Sequence, residues 1–110
     1  MPAAFRVSKS KDGQFYFVLT AENSEPLLTS ETYSTKAAAQ NGIRAVRENA
    51  MNDAHFVRKV STDGKPFFVL IAANREPIGK SETYSAPAAM ENGILAVRRV
   101  APSAPERDLS

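Results

Sequence analysis

Apolar positions along this chain follow two periods in a fixed order, and that order occurs twice. Phe5-Arg6-Val7-Ser8-Lys9 alternates apolar and polar residues, as a half-buried strand does. Asp12-Gly13 follows and predicts a hairpin with a type I′ turn, which needs positive φ at both central residues. A second strand is predicted over 15–21, with Phe17, Leu19 and Ala21 on one face and Tyr16, Val18 and Thr20 on the other. Asn23 and Pro26 mark the next turn, since Asn tolerates left-handed backbone and Pro suits the start of a strand. A third strand is predicted over 27–32. The spacing then changes to three and four: Ala38, Ala39, Gly42, Ile43, Val46 and Ala50 line one helical stripe, with Ser34 as the predicted N-cap.

Shifted by 51 positions, the chain matches itself without a gap: residues 5–49 lie over 56–100, and about half of the aligned pairs are identical. Ser30-Glu31-Thr32-Tyr33-Ser34 recurs as Ser81-Glu82-Thr83-Tyr84-Ser85, and Asn41-Gly42-Ile43 as Asn92-Gly93-Ile94. The second unit therefore predicts the same strands, with Asp63-Gly64 as its hairpin turn and Ser85 as its N-cap. Pro66 stands early in its middle strand and removes one backbone donor there. Gly42 and Gly93 lie inside helices, where Gly costs about 1 kcal/mol relative to Ala; close packing of helix backbone on the sheet is the expected reason. A unit of this size is too small for a core of its own, so the expectation is one domain, 1–110, made of repeats 4–53 and 54–110 about a pseudo-twofold axis. The end of the chain, with Pro102 and Pro105, reads by composition as a loop and a polar tail.

The Asp-Gly turn, the Phe-x-Leu-x-Ala strand, Asn-x-Glu, Ser-Glu-x-Tyr-Ser and Asn-Gly-Ile-x-Ala-Val-Arg together resemble the YegP-like family of small bacterial proteins, of the two-repeat type. The resemblance spans nearly the whole chain. It implies an α+β fold of tandem β(3)-α-β units that form one antiparallel sheet with two helices on one face. It also implies that the units exchange their last strands, so that 54–60 follows the first helix and 105–109 the second. No activity or catalytic residue comes with it.

Composition removes most chemistry. The chain has no Cys, which excludes a disulfide framework, a thiolate zinc site and a thiol nucleophile. It has one His, His55, with Ala4 at the matching place of the first unit, so His55 cannot serve a twofold-symmetric site. No cofactor or metal is expected. No apolar run reaches the length of a membrane span, and no signal or lipidation pattern stands at either end; a cytoplasmic protein is the expectation. The formal charge is +2, and the excess lies wholly in the second unit and tail, a weak nucleic-acid signal.

Two groups of residues remain as candidate sites. Two helices can cover only one face of a single sheet. If they cover Phe17, Leu19, Phe68 and Leu70, then Tyr16, Val18, Phe67, Val69 and Ile71 form an apolar patch on the open face. Such a patch suits an unknown protein, a small ligand or a second copy, making the chain a monomer or a homodimer. The second group is polar and duplicated: Ser30, Glu31, Tyr33 and Asn41, with Ser81, Glu82, Tyr84 and Asn92. These residues form either a symmetric pair of ligand sites or a local device at the strand-to-helix junction. The leading reading is a non-catalytic binding module and not an enzyme. The alternatives are a single-stranded nucleic-acid binder using the open face, and an enzyme using the Ser-Glu-x-Tyr segment.

Overall fold

The alternating segments form strands and the segments spaced by three and four form helices. The computed structural model describes residues 2–110. In chain order the elements are β1 (Ala4–Lys9), β2 (Phe15–Thr20), β3 (Pro26–Ser30), α1 (Lys36–Asn49), β4 (Phe56–Val60), β5 (Pro66–Ile71), β6 (Pro77–Lys80), α2 (Pro87–Val100) and β7 (Glu106–Asp108). The strands form a single sheet in the order β4-β5-β6-β3-β2-β1-β7. A pseudo-twofold axis passes between β3 and β6, which pair antiparallel through Thr29–Lys80 and Ser30–Gly79. Every pair is antiparallel except β1–β7 at one edge, so the sheet is mixed. The strand exchange implied by the resemblance is present. β4 follows α1 but pairs with β5 of the second unit, while β7 follows α2 but pairs with β1 of the first.

Both helices lie on one face. Phe5, Val7, Phe17, Leu19, Phe68 and Leu70 are fully buried beneath Ile43, Val46, Ile94 and Val97. The core is shared between the units, since α1 touches β5 and β6, and α2 touches β3. Phe5 meets Phe17 edge-on at 5.8 Å between ring centroids, and Phe56 meets Phe68 at 5.6 Å.

Several local expectations are corrected. All four hairpin loops share one hydrogen-bond pattern, and none is type I′. Ser10 N–H donates to Gln14 O (2.7 Å) and Gly13 N–H to Ser10 O (3.0 Å), and the other three loops repeat this around Ala21, Ser61 and Ala72. Only the third loop residue has positive φ: Gly13 (82°), Ser24 (68°), Gly64 (84°) and Arg75 (71°). This is the three-residue loop that closes on a left-handed residue, not the two-residue loop. Asp12 and Asp63 keep negative φ, and their carboxylates accept from the Ser10 and Ser61 hydroxyls. Asn23 does not adopt the left-handed conformation either; its side-chain oxygen accepts from Glu25 N–H at 3.0 Å, and Ser24 takes the positive φ.

The helix caps fall one residue later than predicted. Thr35, not Ser34, caps α1 by accepting from Ala38 N–H at 3.0 Å. Ala86, not Ser85, stands at the start of α2 with no side-chain bond, and Pro87 supplies the fixed φ of the first turn. The tail predicted from composition alone to be free is ordered as β7. Arg47, stacked over the Phe5 ring at 5.2 Å, donates to Ala104 O at 2.8 Å and fixes its approach.

Candidate functional site

Burial on the helix face decides which face of the sheet is open. Tyr16, Val18, Phe67, Val69 and Ile71 all point away from the helices, and each is half-buried rather than covered. Val57, paired with Val69, extends the apolar surface toward one edge. The pseudo-twofold relates Tyr16 to Phe67 and Val18 to Val69. No described element lies over this face; alternation separates the two faces of each strand, and burial shows which of them the helices cover.

The duplicated polar residues separate by role. Ser30 and Ser81 are buried, and each completes an irregular stretch of sheet. Phe17 N–H donates to Ser30 Oγ at 2.9 Å, and the Ser30 hydroxyl donates to Glu31 O at 2.7 Å. Ser81 does the same with Phe68 N–H (3.0 Å) and Glu82 O (2.7 Å). The third strand therefore ends at Ser30 rather than at Thr32, although Tyr33 still exchanges two backbone bonds of 2.7 Å with Phe15. In the second unit Pro66 has no N–H, and only the bond from Tyr84 N–H to Pro66 O survives, at 2.8 Å.

Tyr33 and Tyr84 explain the helix glycines and narrow the expected reason, close packing on the sheet, to one ring in each unit. A Cβ at Gly42 would stand 2.8 Å from Tyr33 Cζ and closer still to its hydroxyl; at Gly93 it would stand 2.7 Å from Tyr84 Cζ. The glycines make room chiefly for a tyrosine ring laid between helix and sheet, and at Gly42 also for Phe17 of β2, 3.0 Å from where a Cβ would stand. Each ring stacks on its neighbour, Tyr33 on Phe17 at 6.4 Å and Tyr84 on Phe68 at 6.3 Å. Burial, with the adjacent Glu31 or Glu82 second, pushes both phenols above their ordinary pKa. Glu31 and Glu82 themselves are exposed. Asn41 accepts from Arg44 at 3.0 Å, and Asn92 is exposed on α2. These residues thus form a bulge plug and a ring clamp in each unit.

A groove of about 850 Å³ opens on the helix side between the β2–β3 loop and α2, lined in part by Leu27, Tyr84, Asn92 and Ala96. Arg99 and Glu22 pair across its rim at 2.9 Å. The twofold puts Glu48 of the first unit and Ala73 of the second at the matching places, so the pair is not duplicated. Among the described residues no cluster of three or more His, Asp or Glu could hold a metal ion, and no helix is long and apolar enough to cross a membrane. His55 lies in the short turn before β4, its Nδ1 2.7 Å from Asn49 Oδ1.

The fold and the paired clamps define a class: tandem three-strand-and-helix units that share one sheet. A model described as a domain of unknown function, DUF1508, matches the chain twice, at residues 10–56 and 61–108. The chain is 44% identical over 106 residues to a UPF0339 protein of Bordetella pertussis, covering 96% of each. It is 42% identical over 106 residues to the UPF0339 protein YegP of Yersinia pestis, covering 96% of this chain and 95% of that one. Two solution NMR structures superpose on it. The Shewanella oneidensis UPF0339 protein does so with TM-score 0.92 at 42% identity, covering 99% of this chain and 92% of that one. The Escherichia coli protein yegP, of unknown function, does so with TM-score 0.93 at 40% identity, covering 99% and 94%. The chain belongs to this YegP-like UPF0339 family, whose function is unassigned.

Proposed function

We propose that the chain is a non-catalytic binding module that engages its partner through the open face of the sheet. The observation that carries this reading is that Tyr16, Val18, Phe67, Val69 and Ile71 remain half-exposed together on the one face neither helix covers. Apolar side chains left together on an uncovered face are characteristic of an interaction site. The duplicated Ser-Glu-x-Tyr segment has a structural employment in each unit, which weighs against a catalytic role for it.

The test is affinity capture from a bacterial lysate with the tagged chain and a Tyr16→Ser/Phe67→Ser variant, whose retained fold is checked by two-dimensional NMR. The expected result is a partner held by the wild type and lost by the variant. Identical captured sets, or none from either, would overturn the reading.

A further inference from the structure

The charge on the open face names the class of partner, an inference that rests on the open-face reading above. Cα pairing sets one row across the sheet that runs from Arg107 and Arg6 through Val18, Thr29 and Lys80 to Val69. Residues paired in this way share a face. Lys59 stands beside Phe67 in the next rank. Four cations, Arg6, Lys59, Lys80 and Arg107, therefore share the face with the two rings, and none makes an ion pair or side-chain hydrogen bond among the described residues. No carboxylate occupies a paired position on this face. The acids of β7 are turned the other way: Glu106 accepts from Gln40 at 2.8 Å, and Asp108 pairs with Lys36 at 2.6 Å. A chain with a formal charge of only +2 thus gathers four unpaired positive groups on its one uncovered face.

Burying these cations under an uncharged partner would strip their hydration without compensation. The partner must bring spaced negative charge together with flat apolar groups. A seven-stranded face is about 29 Å wide, too broad to enter a duplex groove about 12 Å across. A single strand meets both demands, with phosphates for the cations and bases to stack on Tyr16 and Phe67.

We propose that the open face binds single-stranded nucleic acid with little sequence preference. Fluorescence anisotropy of labelled oligo(dT), oligo(U) and a duplex of equal length, across a salt series, tests this. The single strands are expected to bind at low salt and to weaken linearly in log affinity as log salt rises. Lys80→Gln/Arg107→Gln is expected to flatten that slope by about 1.4, or 0.7 per lost phosphate contact. Phe67→Leu is expected to weaken binding about tenfold with the slope unchanged. No binding at low salt, preference for the duplex, or equal affinity of wild type and variants would overturn the proposal. A captured protein lost with Tyr16→Ser/Phe67→Ser, with no oligonucleotide bound, would also overturn it while leaving the binding-module reading intact.

Discussion

At position 42 two physical preferences oppose each other. Ala would favour the helix there by about 1 kcal/mol over Gly. Yet its methyl would press on the Tyr33 ring, and the ring cannot retreat because Phe17 stacks behind it, itself 3.0 Å from where that methyl would stand. Overpacking of this kind costs about 1–3 kcal/mol. Gly42→Ala is therefore expected to destabilise the chain by about 1 kcal/mol net, measured by urea unfolding. In a Tyr33→Ser background only the 3.0 Å approach of Phe17 remains, and the same change should cost less than about 1 kcal/mol. A Gly42→Ala that stabilises the wild type would show that the ring yields. The sequence shows that a helix glycine needs a reason, but spacing does not say which neighbour approaches it. Tyr33 reaches Gly42 by way of the tertiary fold, and only its recurrence as Tyr84 and Gly93 hinted at a pair. Gly79 takes the place in the second unit that Leu28 holds in the first. At the axis a Cβ on Gly79 would stand 2.7 Å from Thr29 O and 3.2 Å from Leu28 Cγ, so one unit supplies the leucine and the other the space.

Among the elements, β7 is the one held least by the core. Its residues are all exposed, and its attachment is backbone pairing to β1 plus a few side-chain ties. The Lys36 ammonium, with Ser110 second, holds the Asp108 carboxyl down to about 2 from an ordinary 3.8. A folded-state pKa below the unfolded one contributes stability above the unfolded value that is lost as pH falls toward the folded value. The attachment of β7 is thus expected to loosen between about pH 4 and 2. Carboxyl-detected NMR should show Asp108 titrating near 2, and Lys36→Met should raise it toward 3.8. Over the same range the Leu109 N–H, which donates to Val7 O at 2.8 Å, should lose exchange protection while β2 and β5 keep theirs. Protection that persists at Leu109 through this range would mean the ion pair does not hold the strand. β7 also marks where pattern reading stops. Glu-Arg-Asp has no apolar alternation, and its place beside β1 comes from the exchange of strands between units, which the family resemblance conveyed and periodicity did not. The other strands and both helices were legible because each carries its own apolar period; the covered face was not, because the middle strands are apolar on both sides. Turn type and cap position were not, because the alternatives differ by one residue of backbone geometry.

The pseudo-twofold that organises the whole molecule fails at its edges. β1 and β4 occupy equivalent places, but β1 is flanked by β7 and nothing described flanks β4. An unpaired strand edge is a template for pairing with another chain, and an inward-pointing charge is one way to block it. The repeat supplies that charge at the equivalent of Val7. Val7 is fully buried opposite Phe17, whereas Arg58, opposite Phe68, sends its guanidinium to Glu91 (2.7 and 2.9 Å), Asp53 (3.1 Å) and Phe56 O (3.2 Å). The Arg58 bonds to Glu91 hold that carboxyl below its ordinary pKa, and the charged group leaves no apolar shelf for an incoming strand. Arg58→Val should give β4 the character of β1 and leave its edge without protection. The expected outcome is self-association that rises with concentration, read by light scattering after gel filtration, while Arg58→Lys, which keeps the charge, behaves as the wild type does. If Arg58→Val stays at the wild-type mass at high concentration, something other than the inward charge closes this edge.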